Sequence, residues 1–281
     1  MTLSERNAFF KIAIVFCSIF TVLVLIASFY TIPLYYGNDL SLDEEASARP
    51  SSVFQVFTSI FISNNYYAVH AAIIAAVLFS LAGMIFIHNF FERTSAPETL
   101  YIAIFILSFV FEGLRLILPL HIILDFPSVY VRFAMRILLF TRFFGFLSLF
   151  AASIYSAGLE IQKNRNFIFI IIIATLLITL RIPIDVLNWD TSLNMITGFI
   201  SMFRLIELAV FITTLISFLL AARIRGSADY NHIAIGAVIA MTGRNIILNT
   251  DNWIGFALGI ASVMFGVWYL CAKLHKIHLW L

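Results

Sequence analysis

The chain has 281 residues, 62% of them hydrophobic and only 11% charged, with a formal net charge of +2. Soluble domains carry about 25% charged residues, so this chain has too few to cover a globule in water, and lipid must cover it instead. No stretch is polar enough for a separate soluble domain, and two cysteines, Cys17 and Cys271, make neither a disulfide framework nor a zinc site.

A helix crossing a bilayer needs about 20 mostly apolar residues. Eight segments meet or approach this, over residues 9–31, 67–90, 99–123, 129–157, 166–187, 194–222, 232–250 and 253–273. In the first, the apolar run Ile12 to Ser28 follows Arg6 and Lys11, as a signal peptide would follow its basic start. Its apolar run is long for a signal, and Ala27-Ser28-Phe29 is a poor cleavage site. An uncleaved helix is expected; cleavage would leave seven spans. The predicted fold is an all-α polytopic transmembrane helix bundle, one domain over residues 1–281. Residues 33–66 form an external loop, acidic and turn-rich at first. Its apolar stretch at 53–62 is too short to cross and reads as an interfacial or re-entrant helix. Only Asp251 and Asn252 separate the last two spans, so that turn is tight. The tail from His275 to Leu281 reads as an interfacial anchor.

Loop charge gives the orientation. One set of connections holds Arg6, Lys11, Arg93, Lys163, Arg165, Arg223, Arg225, Lys273 and Lys276; the alternate set holds Arg49 alone among several acids. The positive-inside rule then places both termini in the cytoplasm, and the expected location is an inner cell membrane. The third, fifth and seventh spans carry Leu114-Arg115, Leu180-Arg181 and Gly243-Arg244 at similar depth. This spacing fits a duplicated helical hairpin, and coincidence fits it equally well.

The remaining arginines carry the functional argument. Arg115, Arg132, Arg136, Arg142, Arg181, Arg204 and Arg244 fall inside the spans, joined only by the acids Glu112, Asp185 and Glu207. An intramembrane charge costs at least about 2.5–3.5 kcal/mol on insertion scales, so these side chains should face the bundle interior. Their positions converge on the outer half of the bundle. Arg132 lies near the interface, where it can snorkel, and His70 and His121 lie at a similar depth. Helical spacing pairs Glu112 with Arg115, Arg204 with Glu207, and Arg181 with Asp185. Arg132 and Arg136 share a face from which Arg142 is turned by roughly 100°. By this count Arg132, Arg136, Arg142 and Arg244 lack an acid. Either the charges are structural ion pairs eked out by carbonyls and water, or a bound anion balances the surplus. Guanidinium suits the second role, since it stays charged when desolvated and its fork matches phosphate or carboxylate.

The expected site therefore comprises Arg115, Arg136, Arg142, Arg181, Arg204, Arg244 and Asn245 as ligand-binding residues. Glu112, Asp185 and Glu207 orient them, with His70, His121, Arg132 and Asn249 as further candidates. Thr242-Gly243 would let a backbone or ligand approach closely, and Pro119 and Pro183 would kink their helices near the site. The expected ligand is an anion bearing phosphate or carboxylate, a lipid included, which the protein binds and translocates from an outward-facing cavity. Alternatives are a non-transporting receptor or complex subunit, and an intramembrane enzyme acting on a lipid-linked substrate. No metal-binding, P-loop, dinucleotide or nucleophile-elbow motif appears. No cofactor, metal or nucleic-acid partner is expected.

Overall fold

The computed structural model describes residues 3–37, 61–92, 94, 96–158, 164–184, 189–196 and 198–279. The expected interfacial helix at 53–62 lies outside them except for its last two residues. The chain forms α1 (Leu3–Gly37), α2 (Tyr66–Phe91) and a compound third span. That span joins α3 (Glu98–Leu107), a 3-10 segment (Ser108–Leu116) and α4 (Ile117–Leu124). Then come α5 (Ser128–Ser156), α6 (Asn164–Arg181), α7 (Ile200–Ile224), α8 (Asp229–Asn249) and α9 (Trp253–Leu279). No strand forms among the described residues; Trp189 and Met195 share an isolated bridge.

Among the described residues seven helices are long and apolar enough to cross a membrane: α1, α2, the third span, α5, α7, α8 and α9. The protein is thus a polytopic helical membrane protein. The eighth expected span is present as α6, whose apolar part, Phe167–Arg181, is shorter. It stops where it does because Pro183 disfavours helical backbone at Ile182. Large apolar side chains face outward along whole helices. Ile12, Val15, Ile19, Val22 and Ile26 make one exposed stripe on α1, and Leu205, Leu208, Ile212, Ile216 and Leu219 another on α7. In water such surface would aggregate; here it meets lipid.

The third span is the axis of the bundle. Its apolar window is 78% buried, against 22–56% for the other spans. Phe105, Phe109 and Val110 are fully enclosed there. Pro119 helps to explain its 3-10 turn, because it has no N–H to offer the Arg115 carbonyl in an α-helical pattern. The closest helix pair is α8 against α9. A Cβ on Gly243 would lie 2.7 Å from the Val263 nitrogen, so the close approach expected at this glycine is that of another backbone. The short turn between them is capped by Asn252, whose Oδ1 accepts from Gly255 N at 2.7 Å.

At one end of the bundle, Asn65 N donates to the Asp251 carbonyl and Thr191 Oγ1 to Asp251 Oδ2, at 2.6 and 2.7 Å. The start of α2, the loop before α7 and the α8–α9 turn are thus tied together. The opposite end carries the start of α1 and the end of α9. There Lys273 and Lys276 flank Asp229 at 3.6 and 3.5 Å.

Candidate functional site

Glu112 and Arg115, carried by the 3-10 segment, are both 1% exposed. A 3-10 helix repeats every three residues, so side chains at i and i+3 stand on one side. They lie 3.9 Å apart. The stronger partner of Glu112 comes from α5: Arg142 Nε donates to Oε1 at 2.8 Å and Nη2 to Oε2 at 2.5 Å. This two-pronged contact supplies the acid that the sequence count denied to Arg142. A fork-to-fork pair between helices is geometrically better than a single approach along one helix.

Arg142 Nη2 also donates to Asn194 Oδ1 at 2.8 Å. Asn194 was expected inside the sixth span, but α7 begins only at Ile200 and Asn194 sits in a folded loop. Asp190 organises that loop: its Oδ1 accepts from Ser192 N, Ser192 Oγ and Asn194 N at 3.1, 2.8 and 2.8 Å. Asn194 Nδ2 reaches on to the Leu248 carbonyl of α8 at 2.8 Å. Neither Asp190 nor Asn194 was among the expected site residues. The signal was the Asp-x-Ser-x-Asn pattern, whose side chains compete with helix by bonding nearby backbone.

Arg244 of α8 is buried behind this pair. Its Nη2 donates to the Arg142 carbonyl at 2.9 Å, and its guanidinium lies 4.2 Å from the centre of the Phe146 ring. Phe105 and Phe109 complete an aromatic cage at 5.7 Å, a cation–π setting for a desolvated charge. Gly145 lets Ser108 pack close beside Arg244, since a Cβ there would lie 2.9 Å from Ser108 Cβ. Within this cluster three guanidinium nitrogens remain buried with no hydrogen-bond partner among the described residues: Nε and Nη2 of Arg115 and Nη1 of Arg244.

On the other side of Arg142 lies a cavity of about 470 Å³. Arg142, Asp190, Asn194, Arg204, Glu207, Asn245 and Asn249 form its polar wall, and Leu139, Phe143, Met195, Ile196, Phe203 and Leu248 its apolar wall. Arg204 is exposed and Glu207 half-buried. Among the described residues they close no ion pair with each other, although they stand three positions apart. Asn249 Nδ2 turns back to the Asn245 carbonyl at 2.8 Å.

The other expected residues stand apart. Arg136 donates to the Thr179 and Leu180 carbonyls at 2.6 and 3.3 Å, satisfying the end of α6. Arg136 and Arg142 thus address different neighbours, as their helical phase implies. Arg132 is exposed beside Ser128. Arg181 is exposed at the end of α6, and Asp185 lies outside the described residues. His70 is buried with Thr31 Oγ1 at 3.2 Å, and His121 packs its ring against Phe126. Among the described residues no cluster of metal-ligating side chains forms. Comparison of the chain with family models, curated proteins and solved structures gives no match, so any functional reading rests on the site itself.

Proposed function

We propose that this membrane protein binds an anionic group, phosphate- or carboxylate-bearing, in the cavity bounded by α5, α7, α8 and the loop at residues 189–196. The reading is carried by one observation. A cavity among membrane-spanning helices is lined by Arg142 and Arg204, with Arg115 and Arg244 buried close by. These four guanidiniums face three carboxylates, Glu112, Asp190 and Glu207. Arg204 is the direct ligand, since it alone of the four is exposed and free of an ion pair among the described residues. Arg142 presents a charge held in place by Glu112 and Asn194, and Asn245 supplies an amide. Arg115 and Arg244 raise the local positive potential from behind. The apolar wall suits an anion that carries a hydrophobic body, such as a lipid headgroup with its first methylenes. The basic residues at the terminal end favour a cytoplasmic location for it, and on that reading the cavity faces outward in an inner cell membrane. Release of the bound anion to the other side would make the protein a transporter.

The test is Arg204→Ala in the full chain purified in neutral detergent. A charge-assisted hydrogen bond is worth about 1.5–3 kcal/mol, so affinity for dioctanoyl-phosphatidylglycerol or sulfate should fall roughly ten- to hundredfold. Thermal stability should hold, because Arg204 supports no other side chain. Equal binding by variant and wild type, or no binding by either, removes the reading.

A second reading has its own support: the two-pronged Glu112–Arg142 contact is the geometry of a structural ion pair. A receptor or subunit held together by such pairs would bind neither probe.

A further inference from the structure

The three carboxylates near the cavity differ in how far they are committed. Glu112 spends both oxygens on Arg142. Asp190 spends Oδ1 on three donors of its own loop. Glu207 lines the cavity, is half-buried, and among the described residues accepts no hydrogen bond and closes no ion pair. Arg142 of α5, Arg244 of α8 and Arg204 of its own helix act on it only at longer range. The loop before α7 adds Asp190, and α8 adds the neutral Asn245 and Asn249.

Charge in the lining is therefore even: Arg142 and Arg204 against Asp190 and Glu207, with Arg142 already matched by Glu112. An anion drawn to Arg204 and Asn245 must enter the same 470 Å³ as the uncommitted Glu207 carboxylate. Like charges so close in a partly dry cavity repel strongly, and one of two carboxylate-range anions sharing a site takes a proton. The ligand is held by arginines that cannot release theirs, which leaves Glu207 as the group that yields.

We infer that the site binds its anion together with one proton, and that Glu207 carries that proton. The inference rests on the anion-binding reading above. No bond in the ligand changes. A proton from the buffered solvent converts the Glu207 carboxylate to a carboxylic acid; with a monoanion such as the phosphatidylglycerol headgroup the site's net charge is unchanged, and with sulfate one negative charge is added for the arginines to balance. The new O–H is a donor, so the group that opposed the anion becomes one that holds it.

The experiment uses the full chain in neutral detergent and two probes that keep their charge from about pH 6 to 9: dioctanoyl-phosphatidylglycerol and sulfate. Binding of the lipid alone assigns the anion to a headgroup; binding of both assigns it to the free anion as well. For wild type, affinity should weaken toward about tenfold per pH unit on the alkaline side. Calorimetry in two buffers of different ionisation enthalpy should count about one proton taken up per anion bound. Glu207→Gln should bind with a flat pH profile and no uptake. Glu207→Asp keeps the acid and should retain the uptake with a shifted midpoint. Wild-type binding without proton uptake, or uptake that survives in Glu207→Gln, overturns the inference and leaves the anion site standing. Should neither probe bind wild type at any pH, the anion site itself falls. The buffer comparison on wild type needs no variant, so a poorly folded Glu207→Gln does not blunt the test.

Discussion

Two buried arginine environments in this molecule solve the same problem differently. At the terminal end, Arg6 is 5% exposed and has no acid partner among the described residues. It lies where α2 ends, and there Nη2 donates to the Phe91 carbonyl at 2.6 Å and Nη1 to the Thr94 carbonyl and, at 3.3 Å, to Thr99 Oγ1. A helix terminus leaves carbonyls without donors and carries partial negative charge, so a guanidinium there fills a vacancy that already exists. In the middle of the third span no such carbonyls are free. Arg115, Arg142 and Arg244 must share one carboxylate, the Asn194 amide oxygen, a cage of rings and a single borrowed carbonyl, and among the described residues three of their nitrogens are still left over, against one, Nε, for Arg6. A charge at a helix end is structural almost by default; a charge cluster between helix middles is not fully served by the fold.

The sharpest way to break this contrast is Glu112→Gln. It keeps the shape and removes the only carboxylate among the described residues that is in contact with Arg115 and Arg142. Stranding a buried charge costs about 3–5 kcal/mol, and thermal unfolding in detergent should show a loss of that order. Wild-type stability in this variant would mean that Glu112 does not neutralise the cluster. Next comes Arg6→Ala, which returns the end of α2 to an uncapped state. Hydrogen bonds to a charged group are worth about 1.5–3 kcal/mol, so its destabilisation should be the smaller of the two, with anion binding intact. A larger loss for Arg6→Ala than for Glu112→Gln would invert the comparison. The smallest effect belongs to Arg136→Lys. Lysine still offers donors to the Thr179 and Leu180 carbonyls, so stability should change by less than about 1 kcal/mol and probe affinity not at all. A drop in affinity would bring Arg136 back among the ligands.

The sequence made the spans legible because length and hydrophobicity are local quantities, and it made the inventory of buried arginines legible for the same reason. Pairing is not local. Glu112 and Arg115 stand three positions apart, yet the carboxylate turns to Arg142, because the crossing of α5 with the third span brings a two-pronged partner within reach. Arg136 looked like a ligand until α6 ended beside it. The loop from Trp189 to Ile196 was hidden by its leucine, methionine and isoleucine, which feed a hydrophobic count, whereas its shape is dictated by Asp190, Ser192 and Asn194. The aromatic cage around Arg244 was equally silent, since Phe146 comes from a different helix than Phe105 and Phe109.

The nine-residue 3-10 stretch at the core has a mechanical side. It advances about 2.0 Å per residue where an α-helix advances about 1.5 Å, and it turns about 120° per residue rather than about 100°. Over Ser108–Leu116 the difference amounts to roughly 4–5 Å of length and about half a revolution. Rewinding those residues as α-helix would draw α4 toward α3 by nearly one helical pitch and swing Pro119 and His121 to the opposite side of the bundle. Glu112 and Arg115 sit inside the stretch that would rewind, and Arg142 grips it from outside. The clasp between Glu112 and Arg142 would have to open or move with the segment in any such rewinding.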